Sequence, residues 1–364
     1  MTIDDLLHQL VQKEASDLHL RVGEPPVMRV HGALQRLPLP VLNDQSLYDL
    51  IHPVMNVEKQ MRFEQTMELD TAYSVPGLSR FRVNVFRQQG HIGCVMRVIP
   101  FRVRTIDELA MPQVTKSIAM LPRGLVLVTG PTGSGKSTSL AAMIDLINEL
   151  KSKHIVTIED PIEYVHTDKL CTINQREVGA DTHSFAAALK HVMRQNPDVI
   201  LVGEMRDLET IELAVTAAET GHLVFATLHT TDAPQTIDRI IDVFEPEGQQ
   251  QIRMQLSTVL QAVISQTLMV RKDGSGRCAA FEVMICTPAI RTLIREGKSH
   301  QINTDIQTGA QFGMQTLDSS LLYLVQSDLI HYQEALLKCS NQTDFVNRAA
   351  RLGINRDDPD GMGT

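Results

Sequence analysis

The run Gly130-Pro131-Thr132-Gly133-Ser134-Gly135-Lys136-Ser137-Thr138 constrains this chain more than any other stretch. It matches G-x-x-x-x-G-K-[S/T], a glycine-rich turn that wraps backbone N–H groups around phosphate oxygens. An apolar segment ends at Thr129, and a run of good helix formers begins at Lys136. A strand, a tight loop and a helix N-terminus are therefore expected in that order, and the helix end adds partial positive charge at the loop. Lys136 is expected to reach the β- and γ-phosphates of a nucleotide, and Ser137 to offer an oxygen to Mg²⁺. Residues 130–138 are the candidate nucleotide-binding set.

The surroundings suit such a loop. From Arg123 onward, strands expected at 124–129, 155–159, 199–203 and 223–228 alternate with helices that include 136–150 and 185–194. That alternation predicts a parallel sheet covered by helices. Beyond Thr236 the chain reads as mainly helical. The first hundred residues have another texture. Ile3, Leu6, Leu7, Leu10 and Val11 recur at helical spacing, while 16–22 and 80–86 alternate as strands do. Further strands are expected at 27–30 and 93–99, a turn at 23–26, and helices around 47–55 and 58–65. A length of 364 residues accommodates two domains. We place an α+β domain at 1–100, a linker at 101–115 punctuated by Pro100 and Pro112, and an α/β domain at 116–354. A short helix is expected around 114–120. The tail at 355–364 carries Asp, Gly and Pro with little to bury, and is expected to be disordered.

In an open α/β sheet, ligands sit at the carboxyl ends of the strands. Two further expected strands end there in carboxylates: Ile158-Glu159-Asp160-Pro161-Ile162-Glu163, and Ile200-Leu201-Val202-Gly203-Glu204. A magnesium–nucleotide site needs oxygen ligands, and hydrolysis needs an acceptor that orients water. The second strand commonly ends in Asp in such sites. Here Gly203 holds that place and Glu204 follows, so Glu204 is the candidate for metal and water organisation. Spacing does not decide whether Glu204 or Glu163 polarises the water. The strand at 223–228 is bracketed by His222 and His229, and a polar side chain at a strand end can sense the γ-phosphate. Arg82 and Arg97 sit on expected strands of the first domain. An arginine there costs desolvation unless it meets an anion, either bound phosphate or a neighbouring carboxylate.

Composition removes several alternatives. The net charge of −9 gives no support to general nucleic-acid binding. No apolar stretch approaches the roughly 18–20 residues that a membrane-spanning helix requires. The five cysteines are odd in number and include no C-x-x-C pair, so neither a disulfide framework nor a four-cysteine zinc site is expected. The N-terminus lacks the basic start and apolar run of a secretory signal, which points to a cytoplasmic chain. A P-loop kinase or GTPase would lack the second acidic box and the arginine-bearing first domain.

Taken in order, the phosphate loop, the 158–163 acidic box, Gly203-Glu204, and the box from Thr220-Gly221-His222 to His229 resemble the secretion ATPase superfamily. Ala15-Ser16-Asp17-Leu18-His19-Leu20 looks like the start of its N-terminal PAS-like domain. Within that superfamily the chain is most similar to the pilus retraction branch, the PilT family. The four-cysteine insert of the assembly branch is missing, and Ala289-Ile290-Arg291-Thr292-Leu293-Ile294-Arg295-Glu296-Gly297-Lys298 resembles the retraction branch's C-terminal helix motif. The stretches 306–309 and 313–318 also fit. The resemblance implies a PAS-like domain followed by a RecA-like ATPase domain with a helical C-terminal part, and ATP with Mg²⁺ as cofactors. By the same resemblance Glu163 is the general base, Glu204 acts with Ser137 at the metal, His222 and His229 form a histidine box, and Arg82 and Arg97 approach the γ-phosphate. It further implies a homohexameric ring at the inner membrane. There the ring would act on the platform protein at the pilus base, sometimes beside a sister retraction ATPase. An accessory retraction motor and an assembly or type II secretion ATPase are the alternatives.

Overall fold

The computed structural model describes residues 1–30, 32–99 and 102–354. Expectations for Pro100 and for the tail at 355–364 lie outside the described residues. The chain divides into two compact units. One comprises 1–102 with 161–165, and the other 103–160 with the chain from 166 on.

The first unit is an antiparallel sheet with helices on one face. Its strands are β1 (Ala15–Arg21), β2 (Val27–Val30), β3 (Ala33–Arg36), β4 (Glu68–Val75), β5 (Ser79–Gln88) and β6 (His91–Ile99), in the order β3-β2-β1-β6-β5-β4. Helices α1 (Ile3–Gln12), α2 (Asp44–Ile51) and α3 (Val57–Thr66) complete it. The start of α1 is set by a capping box: Thr2 Oγ1 accepts the Asp5 N–H, and the Asp5 carboxylate accepts the Thr2 N–H. Ile3, Leu6, Leu7 and Leu10 then fall on its buried face, three and four residues apart. On β5 the period is two. Phe81, Val83 and Val85 are fully buried in the same core, and Arg82 between them is exposed. Strands β3 and β4 lie where the sequence shows none. β3 is exposed along its whole length and β4 alternates only weakly, so neither carries a two-residue apolar rhythm.

The second unit is built on a seven-stranded sheet. Its strands are β7 (Gly124–Thr129), β8 (His154–Glu159), β9 (Thr172–Glu177), β10 (Val199–Val202), β11 (Leu223–Leu228), β12 (Leu260–Val270) and β13 (Arg277–Ile285). The spatial order is β13-β12-β7-β11-β10-β8-β9, parallel throughout except for the antiparallel β12–β13 pair. All residues of β7, β10 and β11 are buried, as central parallel strands covered on both faces must be. Helix α4 (Val114–Ala119) precedes β7, and the helices between the strands are α5 (Lys136–Leu150), α6 (Phe185–Val192), α7 (Leu208–Glu219), α8 (Ala233–Asp242) and α9 (Pro246–Val259). After the hairpin come α10 (Pro288–Arg295), α11 (Ile302–Thr308), α12 (Leu317–Gln326), α13 (Tyr332–Lys338) and α14 (Gln342–Arg351).

The region after Thr236 is mainly helical, as expected, but β12 and β13 within it extend the main sheet. Residues 262–266 are buried without interruption, so the strand shows no alternation, and an unbroken apolar run reads equally well as buried helix. Tertiary pairing with β7 makes it a strand. Its hairpin in turn carries α12–α14, whose Leu321, Leu322, Phe345 and Ala349 pack on Met269 and Ala280.

Candidate active site

The parallel strands β7, β11, β10 and β8 are neighbours, so their carboxyl ends form one edge. The glycine-rich loop leaves β7 at Thr129 and enters α5 at Lys136, with Gly135 as the N-cap residue. Gly130 has φ 142°, and a Cβ there would lie 2.3 Å from the Gln266 carbonyl oxygen, so only glycine fits. The turn is closed by Ser134 N–H donating to the Pro131 carbonyl at 3.1 Å. Lys136 Nζ folds back on its own loop and donates to the carbonyls of Gly130 (2.8 Å) and Pro131 (3.1 Å). Those carbonyls hold the ammonium group at the loop. Ser137 and Thr138 are half-buried on the first turn of α5.

The second acidic strand arrives two strands away. Gly203 N–H donates to the Ile158 carbonyl at 2.7 Å, and Thr227 Oγ1 donates to the Gly203 carbonyl at 2.5 Å. A Cβ at 203 would lie 3.0 Å from the Ile158 carbonyl and 3.2 Å from Glu159 Cα. This close approach favours glycine where an aspartate is common: a side chain at 203 would require the two strand ends to part by a few tenths of an ångström. The acid moves one residue on. Glu204 Oε1 lies 2.9 Å from His229 Nε2 at the end of β11, and Glu204 Oε2 lies 2.6 Å from Arg206 Nη2. Burial works to raise the Glu204 pKa. The Arg206 hydrogen bond and the charges of His229 and Arg206 outweigh it and leave the carboxyl below its ordinary range. Beside this pair opens a cavity of about 380 Å³, lined among others by Arg206, Thr230, Thr231 and Arg239. On the next strand, Glu159 accepts from Thr157 Oγ1 at 2.6 Å and from Gln175 Nε2 at 3.2 Å.

The other expected site residues fall elsewhere. His222 precedes β11, at the amino end of the strand that His229 follows. At ~3.3 Å per residue that separates them by about 20 Å. Its Nδ1 lies 2.9 Å from the Ala217 carbonyl and 3.2 Å from Thr220 Oγ1, so it ties the end of α7 to β11. Of the two histidines that bracket β11, His229 stands at the edge beside Glu204 and His222 at the far end of the strand. Glu163 is exposed on the segment 161–165, which belongs with the first unit. Arg82 and Arg97 are also in the first unit, directly opposite each other on β5 and β6. Arg97 Nε donates to the buried Asp17 at 2.7 Å, so this arginine has a carboxylate partner. Asp17 titrates below its ordinary range. Its burial opposes that, and the Arg97 and Ser16 hydrogen bonds drive it.

Three contributors escaped the sequence reading. Arg206 carries no signal of its own two residues after Glu204. Thr227 looked like one more residue of a buried strand. Gln266 lies in a stretch after Thr236 whose sequence carries no strand signal of its own. A metal would fit the hard-oxygen chemistry of Ser137 and Glu204. Among the described residues no group of three or more His, Cys, Asp or Glu side chains is arranged to hold an ion. Phosphate and water would therefore supply most of its ligands. No helix among the described residues is long and apolar enough to cross a membrane.

Comparison with known proteins agrees with this architecture. Residues 1–322 match the family described as "Type II/IV secretion system protein". The "Type IV pilus retractation ATPase PilT" of Pseudomonas aeruginosa is 54% identical over 95% of this chain and 100% of its own length. The "Type IV pilus ATPase PilU" of the same organism is 42% identical over 98% of this chain and 93% of its own. A crystal structure of the pilus retraction motor PilT with bound ADP superposes with a TM-score of 0.89 at 43% identity, covering 94% of this chain and 98% of that one. A PAS-like α+β unit followed by a RecA-like ATPase unit is thus the fold of a known motor. The chain belongs to the type II/IV secretion ATPase family and, within it, to the pilus retraction ATPases.

Proposed function

We propose that this ATPase works as one subunit of a homohexameric ring that draws type IV pili back. In this reading the ring converts each hydrolysis into domain rotation and acts on the inner-membrane platform protein at the pilus base. The observation that carries the enzymatic half is the shared strand-end edge, with the loop before α5 on β7, His229 on the neighbouring β11 and its partner Glu204 on β10 beyond. The loop's N–H groups and the N-terminus of α5 take the phosphates. Lys136 leaves the Gly130 and Pro131 carbonyls for the β- and γ-phosphates, exchanging two neutral acceptors for charged ones. Ser137 and Glu204 would hold Mg²⁺, which would supply charge neutralisation at the phosphates. His229 and Arg206 orient Glu204, one at each carboxylate oxygen. Glu163 acts as general base, and Arg82 and Arg97 meet the γ-phosphate. The direction of the motor is supported by the 54% identity to a retraction ATPase against 42% to its sister PilU and 33% to a type II secretion relative.

Lys136→Ala in the native host tests the whole reading. We expect ATP turnover by the purified protein to vanish, and the cells to carry more pili yet show no twitching, because extension continues unopposed. Bald cells would put the protein on the assembly side. Unchanged ATP turnover would remove the loop from the chemistry.

A further inference from the structure

Strand β12 does more at this site than close the sheet. Its Ser265 and Gln266 lie against the beginning and end of the phosphate loop. Thr129 Oγ1 donates to Ser265 Oγ at 2.8 Å, both atoms buried. One residue on, Gln266 Nε2 donates to the Ser134 carbonyl at 2.7 Å. The backbone is equally close: the Gln266 carbonyl oxygen fills the space where a side chain at Gly130 would stand. A Cβ at Gly135 would come within 3.1 Å of Gln266 Nε2. The loop is thus pressed on this one glutamine at both its first and its last glycine.

The chemistry of the contact is directional. Ser134 and Gly135 share a peptide plane, and in a trans peptide the C=O and the next N–H point opposite ways. A donor on β12 that captures the Ser134 carbonyl therefore aims the Gly135 N–H away from the strand. That N–H is one of the free donors at the start of α5. A leucine or valine at 266 would pack as well but leave the peptide free to turn over.

The energetics also single this residue out. Gln266 is 3% exposed, and its Oε1 is buried without a hydrogen-bond partner among the described residues. Ser134 Oγ is buried and unpartnered in the same way. A half-satisfied carboxamide inside a sheet costs stability, and tertiary structure tolerates that cost where a site needs the other half.

We propose that Gln266 is a positioning residue for nucleotide binding, which fixes the Ser134–Gly135 peptide so that the loop is set for phosphate before phosphate arrives. This rests on the reading of residues 130–138 as the nucleotide site. The test measures affinity of the full chain for a fluorescent ADP with Mg²⁺, alongside ATP turnover and melting without nucleotide. Variants Gln266→Leu, Gln266→Met and Lys136→Ala are compared with the parent. For Gln266→Leu we expect ADP affinity to fall about tenfold, the scale of one buried hydrogen bond. The KM for ATP should rise with it, kcat should fall by less, and melting without nucleotide should stay close to the parent's. Gln266→Met keeps the side chain's length and flexibility and should repeat the affinity loss if the leucine does not fold. Parent-like ADP affinity in a folded glutamine variant, with Lys136→Ala binding weakly, overturns the proposal and leaves the loop reading intact. A lowered melting point and kcat at unchanged affinity shows a packing role and also overturns it. Parent-like ADP binding by Lys136→Ala removes the loop reading itself.

Discussion

Glu204 shows how one side chain's chemistry depends on two neighbours. Its carboxylate stays ionised because Arg206 and His229 hold one oxygen each, against the opposing effect of burial. Replacing it with Gln keeps the shape and removes the charge. We expect turnover to fall by about 10²-fold or more, the scale of losing a group that organises the transition state, with ADP affinity much less affected. Equal losses in both would mean that Glu204 serves binding alone. Gly203→Ala addresses the step beside it. The new methyl would meet the Ile158 backbone at 3.0 Å, and backbone cannot rotate aside. Overpacking of this kind costs about 1–3 kcal/mol, to be read as a lower melting temperature. The two arginines of the first unit should also separate. Arg97→Ala leaves the buried Asp17 with the Ser16 hydroxyl at 2.8 Å and Arg29 at 3.5 Å, and should destabilise by about 1–3 kcal/mol. Arg82→Ala should leave stability nearly unchanged, so any loss of turnover there reports on catalysis. A large stability loss for Arg82→Ala would defeat that separation.

At the level of elements, the β12–β13 hairpin ties the phosphate edge to the C-terminal helices. Glu282 on β13 is 4% exposed, and its carboxylate accepts the Ala233 N–H at the start of α8, four residues after His229. Burial, together with the charges of Asp232 and Asp318, pushes its pKa up to about 7 from an ordinary 4.5. The folded chain therefore binds this proton more tightly than the unfolded one. The associated stability is fully present below about pH 4.5 and declines as the pH rises to about 7, by an amount on the order of 3 kcal/mol. Melting measured from about pH 5 to about pH 8 should fall for this reason, and Glu282→Gln should flatten the slope. A slope unchanged by that substitution would assign the pH dependence to other groups. The hairpin was also the element least legible beforehand. Strand β7 and helix α5 were found to the residue, because a continuous apolar run, a glycine turn and a helix-forming run follow one another. β12 has the same burial without the punctuation, and only its partner strand decides its conformation.

For the molecule as a whole, the proposal requires a ring. Light scattering behind gel filtration should give a mass near six times the 40.5 kDa chain, strengthened by nucleotide. A monomer that hydrolyses ATP at full rate would separate the enzyme from the motor. How far the sequence reached differs by kind of information. Residues adjacent in the chain were legible: the loop from Gly130 to Thr138 and the apolar periods of α1 and β5. These depend on local rules of backbone sterics and spacing, which a one-dimensional string carries in full. Contacts between distant residues were not legible. Gln266 reaches Ser134 across 132 positions, and Glu204 needs His229 from another strand to hold its orientation. His222 and His229 bracket one strand on paper, and only the fold set His229 against Glu204. Sequence by itself determined that this chain would bind a nucleotide at a strand-to-helix turn. Tertiary structure alone decided which buried groups aim that turn and which acid stands beside it, because a hydrogen bond depends on distance and angle in space.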